Sequence, residues 1–115
     1  MTPIDESAIR ARRDAIAAEI VAGLAKQGIT TTSDGSQLTV GDETVAQVDC
    51  EMRRYTDALT GVINVYLYPV ISGTFRTVTP RRTVEIKSDT TVAKVIAELA
   101  VRERLRAEVA EQKVK

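Results

Sequence analysis

The stretch Val62-Ile63-Asn64-Val65-Tyr66-Leu67-Tyr68-Pro69 decides the fold. Successive side chains of a strand point to opposite faces, so Ile63, Val65 and Leu67 fall on one side and Asn64, Tyr66 and Tyr68 on the other. The first face is what a sheet needs to pack on helices. The second suits solvent, a recognition platform or an oligomer interface, and no other feature of the sequence chooses among these. Pro69 cannot donate a ladder hydrogen bond and ends the strand.

Working outward, the same period of two runs through residues 43–54. Ala46, Val48, Cys50 and Met52 share one face of that strand, and Gln47, Asp49, Glu51 and Arg53 share the other. Gly41-Asp42 offers a tight turn into it from a shorter strand, Gln37–Val40, with Ser33-Asp34-Gly35 as the turn before that and a short strand at 29–32. Residues 55–61 read as a connection with one short helical turn around Asp57-Ala58-Leu59. Downstream, Gly73 marks a turn, and residues 75–79 and 82–87 form a strand broken at Pro80, with Val84 and Ile86 on its buried side.

Helices flank this β region. Thr2 can cap the first, Pro3 suits its first turn, Asp5 and Glu6 favour its positive end, and Gly28 supplies a stop. Ile9, Ile16, Ile20 and Leu24 fall within about 60° of one another at 100° per residue, with Ala17 alongside, so the segment is amphipathic. Arg13 interrupts that stripe. It either snorkels to water beyond the sheet edge or makes an ion pair across an interface.

Ser88-Asp89-Thr90-Thr91 offers several caps for a final helix running to about residue 112. Val92, Val95, Ile96 and Leu99 form its first stripe. Glu103 and Arg106 then occupy the positions where that stripe would continue, while Val101, Leu105 and Val109 make a second stripe on a different side. The seam is therefore expected to swing by more than a quarter turn. The second stripe is a candidate contact with another chain, with packing on the first helix or a solvated helix end as the alternatives.

These elements predict an α+β fold. It is a two-layer sandwich, α-β-β-β-β-α, with an antiparallel sheet of about four strands and the N- and C-terminal helices on one face. Two helices packed about 8–10 Å apart match the width of four strands. A helix of some 23 residues, about 35 Å, is longer than strands of six or seven residues at about 20–23 Å, so the helices should overhang.

The 115 residues suit a single domain, 1–115, and 43% hydrophobic with 28% charged residues is ordinary for a soluble globular chain. Three Tyr, one Phe and no Trp leave the core to Ile, Val, Leu and Ala. Sixteen basic and sixteen acidic residues cancel, which denies the chain the strong positive field of a non-specific nucleic-acid binder. The sheet region is its basic part, with six Lys/Arg against three Asp/Glu over residues 51–88. No apolar run approaches the roughly 20 residues of a membrane span and no secretory pattern opens the chain, so a cytoplasmic protein is expected.

The residue inventory offers little chemistry. Without histidine there is no Ser-His-Asp or Cys-His arrangement and no His-based zinc site. A lone Cys50 on the apolar side of its strand reads as a core thiol. Asp49 and Glu51 stand roughly 7 Å apart on the polar face, a spacing that glycoside hydrolysis uses, but a ladder of charge pairs with Arg53 and Lys87 explains them more simply. No catalytic residue, metal centre or cofactor is expected.

The expectation is a non-catalytic protein that works by protein–protein contact, as a self-assembling component, adaptor or inhibitor, and as a homodimer or larger oligomer. Val101, Leu105, Val109, Tyr66, Tyr68 and Arg13 are the candidate interface residues. The alternative is single-stranded nucleic-acid binding, with Tyr66 and Tyr68 stacking bases and Arg53, Arg81, Arg82 and Lys87 neutralising phosphates.

Overall fold

In a computed structural model the described backbone covers residues 6–34, 36–55, 58–72, 74 and 76–114, with side chains described for all of these but 6, 52–60 and 112–114. Thr2, Pro3, Asp5, Gly35, Asp57, Gly73 and Phe75 lie outside the described residues, as does the side chain of Arg53. The elements are α1 (Glu6–Ala25), β1 (Thr32–Ser33), β2 (Gln37–Val40), β3 (Glu43–Tyr55), β4 (Ala58–Leu67), β5 (Val70–Ile71), β6 (Thr77–Thr79), β7 (Arg82–Glu85) and α2 (Asp89–Val114). The fold is α+β. An antiparallel five-stranded sheet, ordered β1-β2-β3-β4-β7, carries both helices on one face, while β5 and β6 pair as a separate hairpin.

Alternation places the core where the sequence puts it. Ile63, Val65 and Leu67 of β4 and Ala46 and Val48 of β3 are buried together with Ile20 and Leu24 of α1 and Val95 and Leu99 of α2. Cys50 pairs with Ile63 and packs against this cluster, partly buried. One residue breaks the period. Thr39 pairs with Thr44 and Leu38 with Ala46, which leaves Val45 as an extra residue on β3. A bulge of this kind breaks the alternation, and Val45 and Ala46 are both fully buried.

The helix ends follow from local chemistry. Gly28, at φ 81°, closes α1: its N–H bonds to the Ala25 carbonyl and that of Ile29 to the Leu24 carbonyl, both at 3.0 Å. This is the Schellman pattern, in which a left-handed glycine lets the chain satisfy the last carbonyls. Ser88 precedes α2, its carbonyl accepting from Thr91 and Val92 at 3.1 and 3.3 Å, and Asp89 sits in the first turn.

The β3–β4 hairpin departs from expectation. No helical turn occurs at Ala58 and Leu59, which pair with Tyr55 and Arg54 as strand, and Gly61 is not a turn but mid-strand opposite Met52. A Cβ at Gly61 would stand 2.5 Å from Ile9 Cδ1, so glycine there lets the first turns of α1 lie on the hairpin. The 13 residues of β3 therefore reach about 44 Å, as long as a helix, and the start of α1 does not overhang bare. The molecule measures 61 × 27 × 23 Å, longer than any one element, so its elements are staggered along the long axis. At one end Ile9 rides on the hairpin. Towards the other, Ala107 of α2 lies over the β2–β3 turn, where it lines one cleft with Val40, Gly41 and Glu43.

Candidate functional site

The helix-free face of the sheet is built by the residues that alternate with the core. Register sets Gln47 beside Tyr66 and Thr83, and Asp49 beside Asn64 and Glu85. Asn64 is 3% exposed although no helix covers it, and its amide is satisfied by donating to Glu51 Oε2 at 3.1 Å. Tyr68 Oη donates to Gln47 Oε1 at 3.4 Å, which ties the second ring to β3. Arg81, on the segment entering β7, holds its guanidinium 5.8 Å from the centre of the Tyr66 ring, within cation–π range. Gln47, Asp49, Tyr66, Tyr68, Pro69 and Arg81 line an open cleft of about 580 Å³.

Of the cations proposed for this face, Arg81 reaches the cleft and Lys87, just beyond the end of β7, lies 3.8 Å from Glu85. Arg82 does not belong there. It pairs with Leu67, whose side chain enters the core, so Arg82 emerges on the helix side and its Nη1 meets Glu98 Oε1 of α2 at 2.5 Å. Arg13 pairs with its own exposed neighbour Asp14, at 3.1 Å.

The second half of α2 holds a group that the sequence reading missed. The seam does not swing. Arg102, Glu103 and Arg106 carry it on, seven residues after Val95, Ile96 and Leu99; Arg102 is buried, 2% exposed, and the other two are partly buried beside it. Arg102 Nη1 and Arg106 Nη2 both donate to the Tyr68 carbonyl, at 2.8 and 3.0 Å, and Arg106 also reaches the Pro69 carbonyl at 3.4 Å. These carbonyls follow the end of β4, where the ladder no longer supplies donors, and a buried carbonyl needs one. Glu103 pairs with Arg106, and Glu98 Oε2 lies 3.7 Å from Arg102 Nε, an electrostatic contact longer than a hydrogen bond.

Burial pushes the Arg102 guanidinium below its usual range against the attraction of Glu98, and the neighbouring Arg106 and Arg82 charges push the same way. Burial raises the Glu103 carboxyl more than Arg106 lowers it. The signal for this cluster was two charged residues at core positions, Glu103 and Arg106. With the seam filled by charge, Val101, Leu105 and Val109 are left to the side, Val101 51% exposed and the other two half-buried.

Comparison with protein-family models, with curated proteins and with solved structures gives no match. Among the described residues no group of three or more His, Cys, Asp or Glu could hold a metal ion, and no helix is long and apolar enough to cross a membrane.

Proposed function

We propose that the chain is a non-catalytic protein that works by protein–protein contact and self-associates, with Val101, Leu105 and Val109 of α2 as a contact between copies. The observation that carries this reading is the division of labour on α2. The core-facing line is closed by Arg102, Glu103 and Arg106, and the aliphatic residues of the same turns are left half out of the protein. Their spacing is symmetric about Leu105. In an antiparallel pair of helices Leu105 meets its own copy and Val101 meets Val109, which is the self-complementarity a two-fold contact requires. A net charge of zero sets no long-range repulsion between copies.

Light scattering after gel filtration tests this, with Leu105→Asp as the probe because it puts a charge on the symmetry axis without touching the core. The expected result is an oligomer whose mass falls in the variant while its helix content is unchanged. A monomer mass at high concentration, or an oligomer indifferent to the substitution, would reject the reading.

Nucleic acid is the weaker use of the sheet face. Asp49 stands in the cleft where a phosphate chain would run, and Arg82, one of the cations that reading needs, lies on the other side of the sheet.

A further inference from the structure

We infer that the helix-free sheet face is a second self-contact, in which the Tyr66 and Tyr68 surfaces of two copies meet about a two-fold axis and Arg81 of each pairs with Asp49 of the other. The inference rests on the reading that the chain self-associates, and it names a different surface for it.

Two observations select a second copy as the occupant. The cleft is lined by a carboxylate, Asp49, and a guanidinium, Arg81, while the other carboxylates of this face, Glu51 and Glu85, are engaged by Asn64 and Lys87. A face that carries both signs complements itself under a two-fold rotation, whereas it meets a partner of either single sign with one repulsive group. Next, the other residues that line the cleft are two half-buried tyrosines, Pro69 and Gln47, a mixture of apolar body and polar tip that suits the centre of an interface. Arg81 is exposed and stands on the Tyr66 ring, so pairing with a second copy asks only that its tip extend from a position it already holds.

A chain with two separate two-fold contacts builds assemblies larger than a dimer. The wild-type protein is therefore expected as a tetramer or larger. Asp49→Arg and Arg81→Asp each set like charges face to face and should reduce the mass to the dimer held by α2. The double variant Asp49→Arg/Arg81→Asp reverses both signs and should restore the wild-type mass. Leu105→Asp should leave the dimer held by the sheet face, and Leu105→Asp with Arg81→Asp should be monomeric. Arg81 is exposed and outside any strand, so Arg81→Asp keeps the test valid should Asp49→Arg fail to fold.

A mass unchanged by Arg81→Asp, or a double variant no better than the singles, overturns the inference. If Leu105→Asp still lowers the mass in that case, self-association through α2 stands and only the sheet contact falls; a monomeric wild type removes both. Retention of a single-stranded oligonucleotide at low salt, lost in Tyr66→Ala, would overturn it as well by giving the face to nucleic acid.

Discussion

The two halves of α2 present the same side of the helix to the protein with opposite chemistry. Leu99 recurs seven residues on as Arg106, Val95 as Arg102 and Ile96 as Glu103. A heptad drifts only about 20° around a straight helix, so each pair faces nearly the same way. The first half lies over strands whose backbone groups are paired within the ladder, and what it must supply is apolar surface. The second half lies where β4 has ended, and what it must supply is hydrogen-bond donors for the Tyr68 and Pro69 carbonyls. A buried position on a helix thus takes its chemistry from what the opposing backbone lacks.

The largest effect should come from the apolar half. Leu99 is fully buried in the shared core, and Leu99→Ala should cost about 2–5 kcal/mol in denaturant unfolding through lost transfer energy and the cavity left behind. A loss under about 1 kcal/mol would mean that the helix can settle into the gap, and that the core of this half is looser than its burial implies.

The polar half should respond differently, because its bonds are shared. The Tyr68 carbonyl receives both arginines, and Glu98 keeps Arg82 when Arg102 is lost. Arg102→Met should therefore cost only about 1–2 kcal/mol. Arg106→Met should be the costlier single change, since it also leaves the Glu103 carboxylate buried without its partner. The double variant strips the carbonyl of both donors and should exceed the sum of the singles by at least about 0.5 kcal/mol in a double-mutant cycle. Additive losses would show that the two arginines act separately and that the shared carbonyl does not join them.

What could be read in the sequence divides along the same line. The apolar elements were legible because period and burial agree: Ile63, Val65 and Leu67 of β4, the Ile16–Leu24 stripe of α1 and the Val92–Leu99 stripe of α2 all face the core as their spacing requires. The alternation that set Tyr66, Tyr68 and Asp49 on the opposite face was legible for the same reason. Positions that answer to a distant backbone were not. Glu103 and Arg106 look like a displaced seam until the ends of β4 and α2 are seen together. Arg82 cannot be assigned a face without its register to Leu67, and Val45 is on the wrong side until the bulge at Leu38 and Thr39 is known. Gly61 reads as a turn because nothing local reveals that Ile9 will lie on it.

The smallest expected effect concerns Glu103, where the polar half is least favourable to its own charge. Burial raises its carboxyl above the ordinary range, Arg106 offsets this in part by charge and hydrogen bond, and Glu43 adds to the rise. A folded-state pKa above the unfolded one means that the folded protein holds the proton more tightly. Its contribution to stability is therefore present below the unfolded carboxylate range and is lost as pH rises through the folded value. Asp34 has the opposite sign. Its exposed carboxylate accepts the Gln37 and Ser36 N–H groups, which depress its pKa, so its contribution is present above the unfolded range and is lost as pH falls through the folded value. Glu103→Gln should accordingly abolish the loss on the alkaline side of the carboxylate range and leave the acid-side loss of Asp34 in place. At neutral pH the variant should be at least as stable as the wild type, the reverse of Arg106→Met, although both remove the same ion pair. Denaturant midpoints measured from about pH 3 to about pH 8 span both carboxylate ranges. A Glu103→Gln protein that is less stable than wild type at neutral pH would show that attraction to Arg106 outweighs burial, and would make the pair a net support of this end of α2.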